Sequence, residues 1–231
     1  MTSALYGAIR PLFADSVAIQ VQAVDLAQGL AQGFSLPAAV AGSVAKRQAE
    51  FIAGRNCARA ALLELAGPHQ QTIGIGPMRA PVWPEGFVGS IAHADGIAIA
   101  VLARDCDANA LGVDIELMLD NEAALDLAKQ IALPQELSEA VTVFGEPGLA
   151  LTAIFCAKEA LFKCLARGVG RYFDFLDAQL TVCTADTLSL RLRTDLGSGY
   201  LAGQSYVARV ARHGPRVIAG MTLPITSKEA S

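Results

Sequence analysis

Several features that mark common classes of protein are scarce in this sequence. Charged residues make up 17% of the 231 positions and apolar ones 53%, a balance typical of globular rather than disordered chains. The net charge of −4 lacks the basic surplus that nucleic-acid binders usually carry. No apolar run reaches the roughly 18–20 residues that span a bilayer, and residues 1–10 lack a secretory signal pattern. We therefore expect no nucleic-acid or membrane partner.

Cysteine is also sparse, and its pattern excludes two further classes. The five cysteines are odd in number and form no Cys-x-x-Cys pair, and several lie in apolar helical runs. A buried thiol in such a run behaves as a small hydrophobic group. We expect a reduced, cytoplasmic protein without structural zinc.

The hydrophobic periodicity predicts an α+β fold. Helices are expected at about residues 43–67, 121–131, 134–143 and 149–167, the last ending at Gly168, and strands at about residues 17–21, 87–92, 97–104, 111–115, 188–192, 206–210 and 217–221. A turn is expected at 95–96, and the strands at 97–104 and 111–115 are expected to form a hairpin. The length suffices for one large domain or two small lobes.

A weak internal repeat favours two lobes. Phe51-x-Ala53 with Arg55 and Arg59 aligns with Phe155-x-Ala157 with Glu159 and Lys163, at a constant offset of 104 residues. Each of these helices precedes a set of strands. Chance similarity between alanine-rich helices explains the match nearly as well. If the repeat is real, a site is expected at the junction of the lobes, where clefts commonly form.

Two carboxylates interrupt the apolar run at 111–117. Asp114 and Glu116 lie two residues apart, and side chains two apart on a strand point to the same face. An Asp-x-Glu pair on its own is more often part of a solvated strand edge than of a functional site, because buried acids are rare.

The helical segment at 155–163 carries the second motif. Glu159 and Lys163 lie four residues apart and share a helix face. If this helix packs on the strand at 111–117, three carboxylates and a lysine converge. Carboxylate oxygens suit Mg²⁺, which proteins usually hold with few carboxylates plus substrate phosphates and water.

Gly-Val-Asp-Ile-Glu at 112–116 and Phe-Cys-Ala-Lys-Glu-Ala-Leu-Phe-Lys at 155–163, about 40 residues apart, resemble the signature of 4′-phosphopantetheinyl transferases of the type that activates surfactin and enterobactin synthetases. The resemblance implies two similar α/β lobes related by a pseudo-twofold axis, with the active site at their junction. It divides the chain into lobes at 1–113 and 114–231.

The resemblance also implies a coenzyme A site. Arg47 and Arg55 lie in a segment similar to the family's arginine-bearing helix, and Ser-Ile-Ala-His at 90–93 is similar to its Ser-Ile-Ser-His motif. Arginines and His93 there face the 3′-phosphate, and guanidinium groups bind phosphate oxygens in pairs. Arg79 matches a basic position near the nucleotide. One position departs from the family: Ala92 replaces the usual Ser or Thr, so a hydroxyl contact is expected to be lost.

At the reacting centre, the resemblance assigns Asp114, Glu116 and Glu159 to Mg²⁺, with Mn²⁺ as an alternative ion. Lys163, joined by Lys158, is expected to neutralise the phosphate. The implied reaction transfers the phosphopantetheine arm of coenzyme A to a serine hydroxyl of an apo carrier protein and releases 3′,5′-ADP. The hydroxyl needs a base; Glu159 is the first candidate and Glu116 the second.

The expected partners are coenzyme A and the acidic, serine-bearing helix of a carrier domain. The motif at 79–84 favours carriers of siderophore or other peptide synthetases. Docking is expected at Arg167 and Arg171, with the apolar Met118, Leu119, Tyr172 and Phe173 beside them, although a place in the core explains Phe173 slightly better. A monomer is expected, since both lobes belong to one chain. Two alternatives stay open. One is a binding relative that has lost catalysis. The other is a metal-dependent nuclease, although Met118 occupies the position where such a nuclease typically has a lysine.

Overall fold

The computed structural model describes residues 2–25, 36–68, 73–76, 80–197 and 199–225. Its helices are α1 (Thr2–Ile9), α2 (Ala38–Ala41), α3 (Ala45–Ala66), α4 (Asn121–Ile131), α5 (Pro134–Phe144) and α6 (Pro147–Val169), with 3₁₀ turns at Arg10–Leu12 and Phe175–Asp177. The strands are β1 (Ala18–Ala23), β2 (Gly74–Ile75), β3 (Pro81–Val82), β4 (Phe87–Ala94), β5 (Ile97–Arg104), β6 (Ala110–Leu117), β7 (Ala178–Cys183), β8 (Thr187–Leu192), β9 (Ser205–His213) and β10 (Arg216–Leu223). The predicted α+β class is confirmed.

The strands form antiparallel sheets, and their pairing corrects one prediction. The order is β1-β5-β4 in a three-stranded sheet and β6-β10-β9-β8-β7 in a five-stranded sheet, while β2 pairs with β3. The predicted hairpin between residues 97–104 and 111–115 is wrong: β5 pairs with β4 across the turn at Asp95-Gly96, and β6 pairs with β10. Strand β6 therefore joins the second sheet through a partner about 100 residues further along the chain.

Helix α3 packs on β5 and β1 of the smaller sheet. Small residues line this contact, with Ala53, Cys57 and Ala58 of the helix against Ala98 and Ala100 of the strand. Alanine at these positions lets the helix and the sheet approach closely.

Helix α6 is the core of the second half. It packs on β6 and β10, and α4 and α5 cover its other side. It ends at Gly170, which adopts a left-handed conformation (φ 71°), and not at Gly168 as predicted. Gly168 lies within the helix, and its missing side chain leaves room for Tyr200: a Cβ there would lie 2.0 Å from the Tyr200 hydroxyl.

Strand β6 joins the two halves. Leu111, Val113 and Ile115 pack into a core shared with the smaller sheet. The edge strands β4 and β6 lie side by side, and the Ser90 hydroxyl of β4 accepts a hydrogen bond from the Val113 N–H at 3.1 Å. The proposed lobe boundary at 113/114 therefore falls within a strand, and both it and the pseudo-twofold axis stay predictions.

In the described part of the chain, no single helix is long and apolar enough to cross a membrane; α5 and α6 pass that test only as a pair bent by 115°.

Candidate functional site

The strand and helix motifs come together where α6 crosses β6. Gly112 makes this contact possible: a Cβ at that position would lie 1.9 Å from the carbonyl oxygen of Ala160. Because side chains alternate along a strand, Asp114 and Glu116 share the face of Gly112 and point toward the helix. Glu159 flanks Ala160 directly and Lys163 follows it by one turn. The structure brings Lys163 into contact with Asp114, and Glu116 and Glu159 lie close enough for their charges to interact with both.

Asp114 and Lys163 form the centre of this group. The Lys163 ammonium donates to Asp114 Oδ1 at 2.7 Å and to the Val113 carbonyl oxygen at 3.1 Å. Asp114 is 5% exposed, and its second oxygen, Oδ2, is buried without a hydrogen-bond partner among the described residues. Burial, together with the neighbouring Asp114 carboxylate, raises the pKa of the Cys156 thiol, which donates to the Val217 carbonyl oxygen at 3.6 Å and also interacts with Asp114.

The other two carboxylates have perturbed pKa values. Burial, together with the Asp114 carboxylate, raises the pKa of Glu116 to about 7, although Lys163 opposes the shift. Burial also raises the pKa of Glu159, where Lys163 again opposes the shift and Asp114 adds to it. Burial by itself lowers the pKa of Lys163, but the Asp114 carboxylate outweighs it and the net shift is upward. Three carboxylates therefore share one ammonium group, and negative charge is in excess.

This donor set fits a hard divalent cation. As the side chains stand, no group of three His, Cys, Asp or Glu residues in the described ranges encloses a metal position. Even so, the unpartnered oxygen of Asp114 and the raised pKa of Glu116 are what a carboxylate cluster shows when a positive charge would stabilise it. Oxygen ligands of this type suit Mg²⁺ or Mn²⁺.

Lys158 is not part of this cluster, which corrects the expectation that it meets the phosphate. The residue is 2% exposed, and its ammonium pairs with Glu136 Oε1 at 2.9 Å and donates to the Ile131 carbonyl at 2.8 Å. Glu136 also accepts from the backbone N–H groups of Leu133 and Leu180, each at 2.6 Å. This satisfied buried pair ties α6 to α5 and β7 and leaves no free charge for a ligand.

The predicted nucleotide residues line a pocket between α3 and β4. It has about 670 Å³ of empty volume, including the solvent at its mouth, and contains Arg47, Arg55 and His93. Arg47 Nη1 lies 2.5 Å from His93 Nε2. Glu50 stands beside both, with Oε2 at 3.6 Å from Arg47 Nη1 and 3.5 Å from His93 Nδ1. The structure thus brings an arginine and a histidine together as predicted.

Arg55 has a different environment from Arg47. It is 6% exposed, donates to the carbonyl oxygens of Ile73 and Gly74 at 3.3 and 2.8 Å, and lies over the Phe51 ring at 5.1 Å. Its guanidinium group holds the segment at 73–74 against the helix. Arg55 therefore shapes the wall of the pocket and also adds positive charge to it. The prediction for Arg79 lies outside the described residues.

The Ala92 side chain points away from the pocket. It is 2% exposed and packs in the apolar core between the sheets, whereas Ile91 and His93 face the pocket from the other side of β4. The expected loss of a hydroxyl contact is therefore wrong: the exchange at position 92 removes no side-chain group from the pocket.

The carboxylate cluster and the pocket are electrostatically continuous. Burial lowers the pKa of His93; Glu50 opposes that shift, while Arg47 and Lys163 add to it. Glu50 in turn contributes to the raised pKa of Glu116. The charges of the two groups therefore influence one another.

A second, aromatic pocket lies on the far side of Glu159. It has about 420 Å³ of empty volume and is bounded by Phe162, Tyr172, Phe173 and Phe175. The Phe162 ring contacts those of Phe173 and Tyr172, with centroids 5.0 and 5.3 Å apart. Glu159 therefore lines this aromatic pocket and also belongs to the carboxylate cluster.

The sequence analysis gave no role to Glu50 or Glu136, and it named Ser90 only as part of the motif at 90–93. The spacing of Arg47 and Glu50, three apart on a helix, was a visible signal for the first. Ser90 and Glu136 contact residues 23 and 44 positions away, and nothing local indicates those partners.

Two family models match the chain. The model described as the 4′-phosphopantetheinyl transferase N-terminal domain matches residues 36–103, and the one described as the 4′-phosphopantetheinyl transferase superfamily matches residues 110–213. The pocket lined by Arg47 and His93 falls in the first match, and the carboxylate cluster falls in the second.

Individual relatives agree with these matches. The chain is 38% identical over 144 residues to 4′-phosphopantetheinyl transferase Npt of Nocardia iowensis, which covers 62% of each chain. It is 36% identical over 148 residues to enterobactin synthase component D of Salmonella typhimurium, covering 64% of this chain and 60% of the relative. It is 37% identical over 150 residues to 4′-phosphopantetheinyl transferase PptT of Mycobacterium tuberculosis, covering 64% of each. The matched segment spans about three fifths of each relative. With both halves of the site inside consecutive matches to one family, the chain belongs to the 4′-phosphopantetheinyl transferase superfamily.

Proposed function

We propose that this protein transfers the 4′-phosphopantetheine arm of coenzyme A to a serine hydroxyl of an apo carrier protein. The observation that carries the proposal is the convergence of Asp114, Glu116, Glu159 and Lys163 beside the Arg47–His93 pocket. Coenzyme A has a 3′-phosphate at one end of its nucleotide and a pyrophosphate at the other. A basic pocket adjoining a cation-deficient carboxylate cluster matches that distribution of charge.

The basic pocket suits the 3′-phosphate. Arg47 and His93 both line it, and an arginine keeps its positive charge at any physiological pH. Arg55 lines the same pocket while its guanidinium is engaged by backbone carbonyls. We therefore assign the direct contacts to Arg47 and His93, and to Arg55 mainly the shape of the wall.

The carboxylates suit a cation that binds the pyrophosphate. Asp114, Glu116 and Glu159 would hold Mg²⁺ or Mn²⁺, which when bound neutralises phosphate charge and polarises the phosphorus centre. Lys163 already holds Asp114 in position through their 2.7 Å hydrogen bond. Its ammonium supplies a second positive charge at the place where negative charge grows during transfer.

The transfer forms one bond and breaks one. The serine oxygen bonds to the phosphorus that carries the pantetheine arm, and the bond from that phosphorus to the bridging oxygen breaks, so 3′,5′-ADP leaves with the electron pair. The serine proton goes to a carboxylate. Burial raises the pKa of Glu159, which makes it a better proton acceptor than a free glutamate, and Glu116 is the second candidate.

The remaining surfaces fit the two other parts of the reaction. The aromatic pocket beside Glu159 is suited to the pantetheine arm. Arg167, Arg171 and Tyr172 are exposed just beyond it and suit an acidic carrier helix of the peptide-synthetase type. Both halves of the site belong to one chain, which supports a monomer. The five free thiols agree with a cytoplasmic location.

Incubation with coenzyme A, Mg²⁺ and an apo carrier protein tests the proposal. The carrier should gain the mass of one phosphopantetheine group, and 3′,5′-ADP should appear in equal amount. The Asp114→Asn variant, which keeps the shape of the side chain, should be nearly inactive. Tight binding of coenzyme A or of the carrier without any mass gain would instead indicate a relative that has lost catalysis.

A further inference from the structure

The contact between Arg47 and His93 determines which ring nitrogen of the histidine carries its proton. Arg47 Nη1 lies 2.5 Å from His93 Nε2. A guanidinium group only donates hydrogen bonds, so Nε2 must be the unprotonated acceptor. The proton of the neutral ring is then on Nδ1, the nitrogen that faces Glu50 Oε2 at 3.5 Å.

Glu50 is placed to act on this histidine through its charge. Its side chain is 14% exposed and lines the pocket, and its carboxylate is at ion-pair distance from both basic residues. The other charged groups facing His93 are Arg47 from α3 and Lys163 from α6, and both oppose a positive ring. Glu50 is therefore the negative charge that favours protonation of His93.

An anion entering the pocket must break the Arg47–His93 contact. Arg47 would turn its N–H groups to the anion, and Nε2 would then face an oxygen that also accepts hydrogen bonds. Two acceptors repel each other unless Nε2 gains a proton. If the ring's own proton moved from Nδ1 to Nε2, an unprotonated Nδ1 would face the Glu50 carboxylate, so the proton must come from solvent. We propose that binding of the 3′-phosphate is coupled to uptake of a proton on His93 Nε2, with Glu50 as the counter-ion that permits it.

Glu50 is on this view a positioning residue for the nucleotide. Without a ligand it keeps the ring oriented with Nδ1 toward itself. With a ligand it balances the imidazolium, so two cations instead of one meet the phosphate. The inference rests on the proposed function, because it takes the 3′-phosphate to be the anion that binds between Arg47 and His93.

Titration calorimetry measures this coupling directly. Coenzyme A and dephospho-coenzyme A are titrated into the protein with EDTA present, so that the carboxylate cluster binds no metal. Each titration is run at about pH 7.5 in two buffers of different ionisation enthalpy, since the difference in heat gives the number of protons taken up. The variants are Glu50→Gln, which removes the charge at nearly constant shape, and His93→Gln. Glu64→Gln is the matched control, an exposed carboxylate on the same helix whose partner is Gln20.

The wild-type protein and the Glu64→Gln control should take up about one proton with coenzyme A and none with dephospho-coenzyme A. Uptake should vanish in His93→Gln. In Glu50→Gln the number of protons taken up should fall by at least half. The ratio of the Kd for dephospho-coenzyme A to the Kd for coenzyme A should fall about tenfold, the equivalent of one pKa unit.

Two outcomes overturn the inference in distinguishable ways. If coenzyme A is preferred but no proton is taken up, the coupling to His93 is wrong. If protons are taken up but Glu50→Gln behaves as the control, the role of Glu50 is wrong. The proposed function survives either result. If both ligands bind wild-type protein equally, the pocket does not recognise the 3′-phosphate and that part of the proposed function fails as well. Thermal melting of Glu50→Gln within the range of the control shows that folding is not the cause.

Discussion

Replacement of Gly112 by alanine should separate the two motifs of the site. The missing side chain lets α6 lie against β6 at Ala160, and this contact sets the distance between the strand carboxylates and Lys163. The added Cβ would lie 1.9 Å from the Ala160 carbonyl oxygen. Real Cβ contacts are essentially never below 3.0 Å, so strand and helix must separate by about 1 Å.

Both stability and activity should respond. Overpacking a buried contact costs about 1–3 kcal/mol, and here the clash is with rigid backbone, so the upper end is expected. For a chain of this size each kcal/mol lowers the melting temperature by about 2–4 °C. A misplacement of about 1 Å at a catalytic centre costs about 10²-fold in rate. Transfer to the carrier should therefore fall about 100-fold at temperatures where the variant is still folded.

Thermal melting and carrier modification by mass spectrometry measure the two effects. Gly7→Ala is the control: this glycine lies within α1, and a Cβ there meets no atom within 4 Å. It should leave activity unchanged and stabilise by about 0.5–1 kcal/mol, because alanine favours a helix. Near-normal transfer and melting in Gly112→Ala would refute the idea that close packing at this point assembles the site.

Three further predictions concern charges. Lys158→Met should lower the free energy of unfolding by about 3–5 kcal/mol in thermal melts, because it leaves the buried Glu136 carboxylate without a counter-ion. Adding Glu136→Gln should recover part of the loss. A drop in coenzyme A affinity at unchanged stability would contradict this. Burial gives folded Glu116 a pKa of about 7 against an ordinary value of 4.5, so its contribution to stability declines as pH rises between those values. The melting temperature in EDTA should fall over this range in wild-type protein and less in Glu116→Gln, and Mg²⁺ should reverse the fall; identical profiles in both proteins would refute the assignment. Arg167→Glu should raise the KM for the carrier and weaken its salt dependence without changing affinity for coenzyme A, whereas an unchanged KM would place docking elsewhere.

Local periodicity accounts for the part of the site that was predicted. The period of two on a strand places Asp114 and Glu116 on one face, and the period of 3.6 on a helix places Glu159 and Lys163 on another. These relations hold within a single element, so they follow from sequence spacing alone. The same periodicity could have excluded Lys158, which is rotated by about 140° from Lys163 around the helix axis.

The pairing of the strands was harder to predict from the sequence. Residues 97–104 and 110–117 are adjacent in the chain and both apolar, which favoured a hairpin between them. The structure pairs β6 with β10 instead, a partner about 100 residues further along. Apolar content shows that a strand is buried but carries no information about which neighbour buries it.

The sequence by itself therefore determined the α+β class and which side chains share a face on each element of the reacting centre. Only the tertiary structure decided which faces meet: that Gly112 admits α6, that Glu136 neutralises Lys158, and that Glu50 of α3 faces His93 of β4. The reason is physical. Which side chains share a face of one helix or strand follows from backbone geometry over a few residues. Contacts between elements depend instead on how all the apolar faces of the chain are buried together.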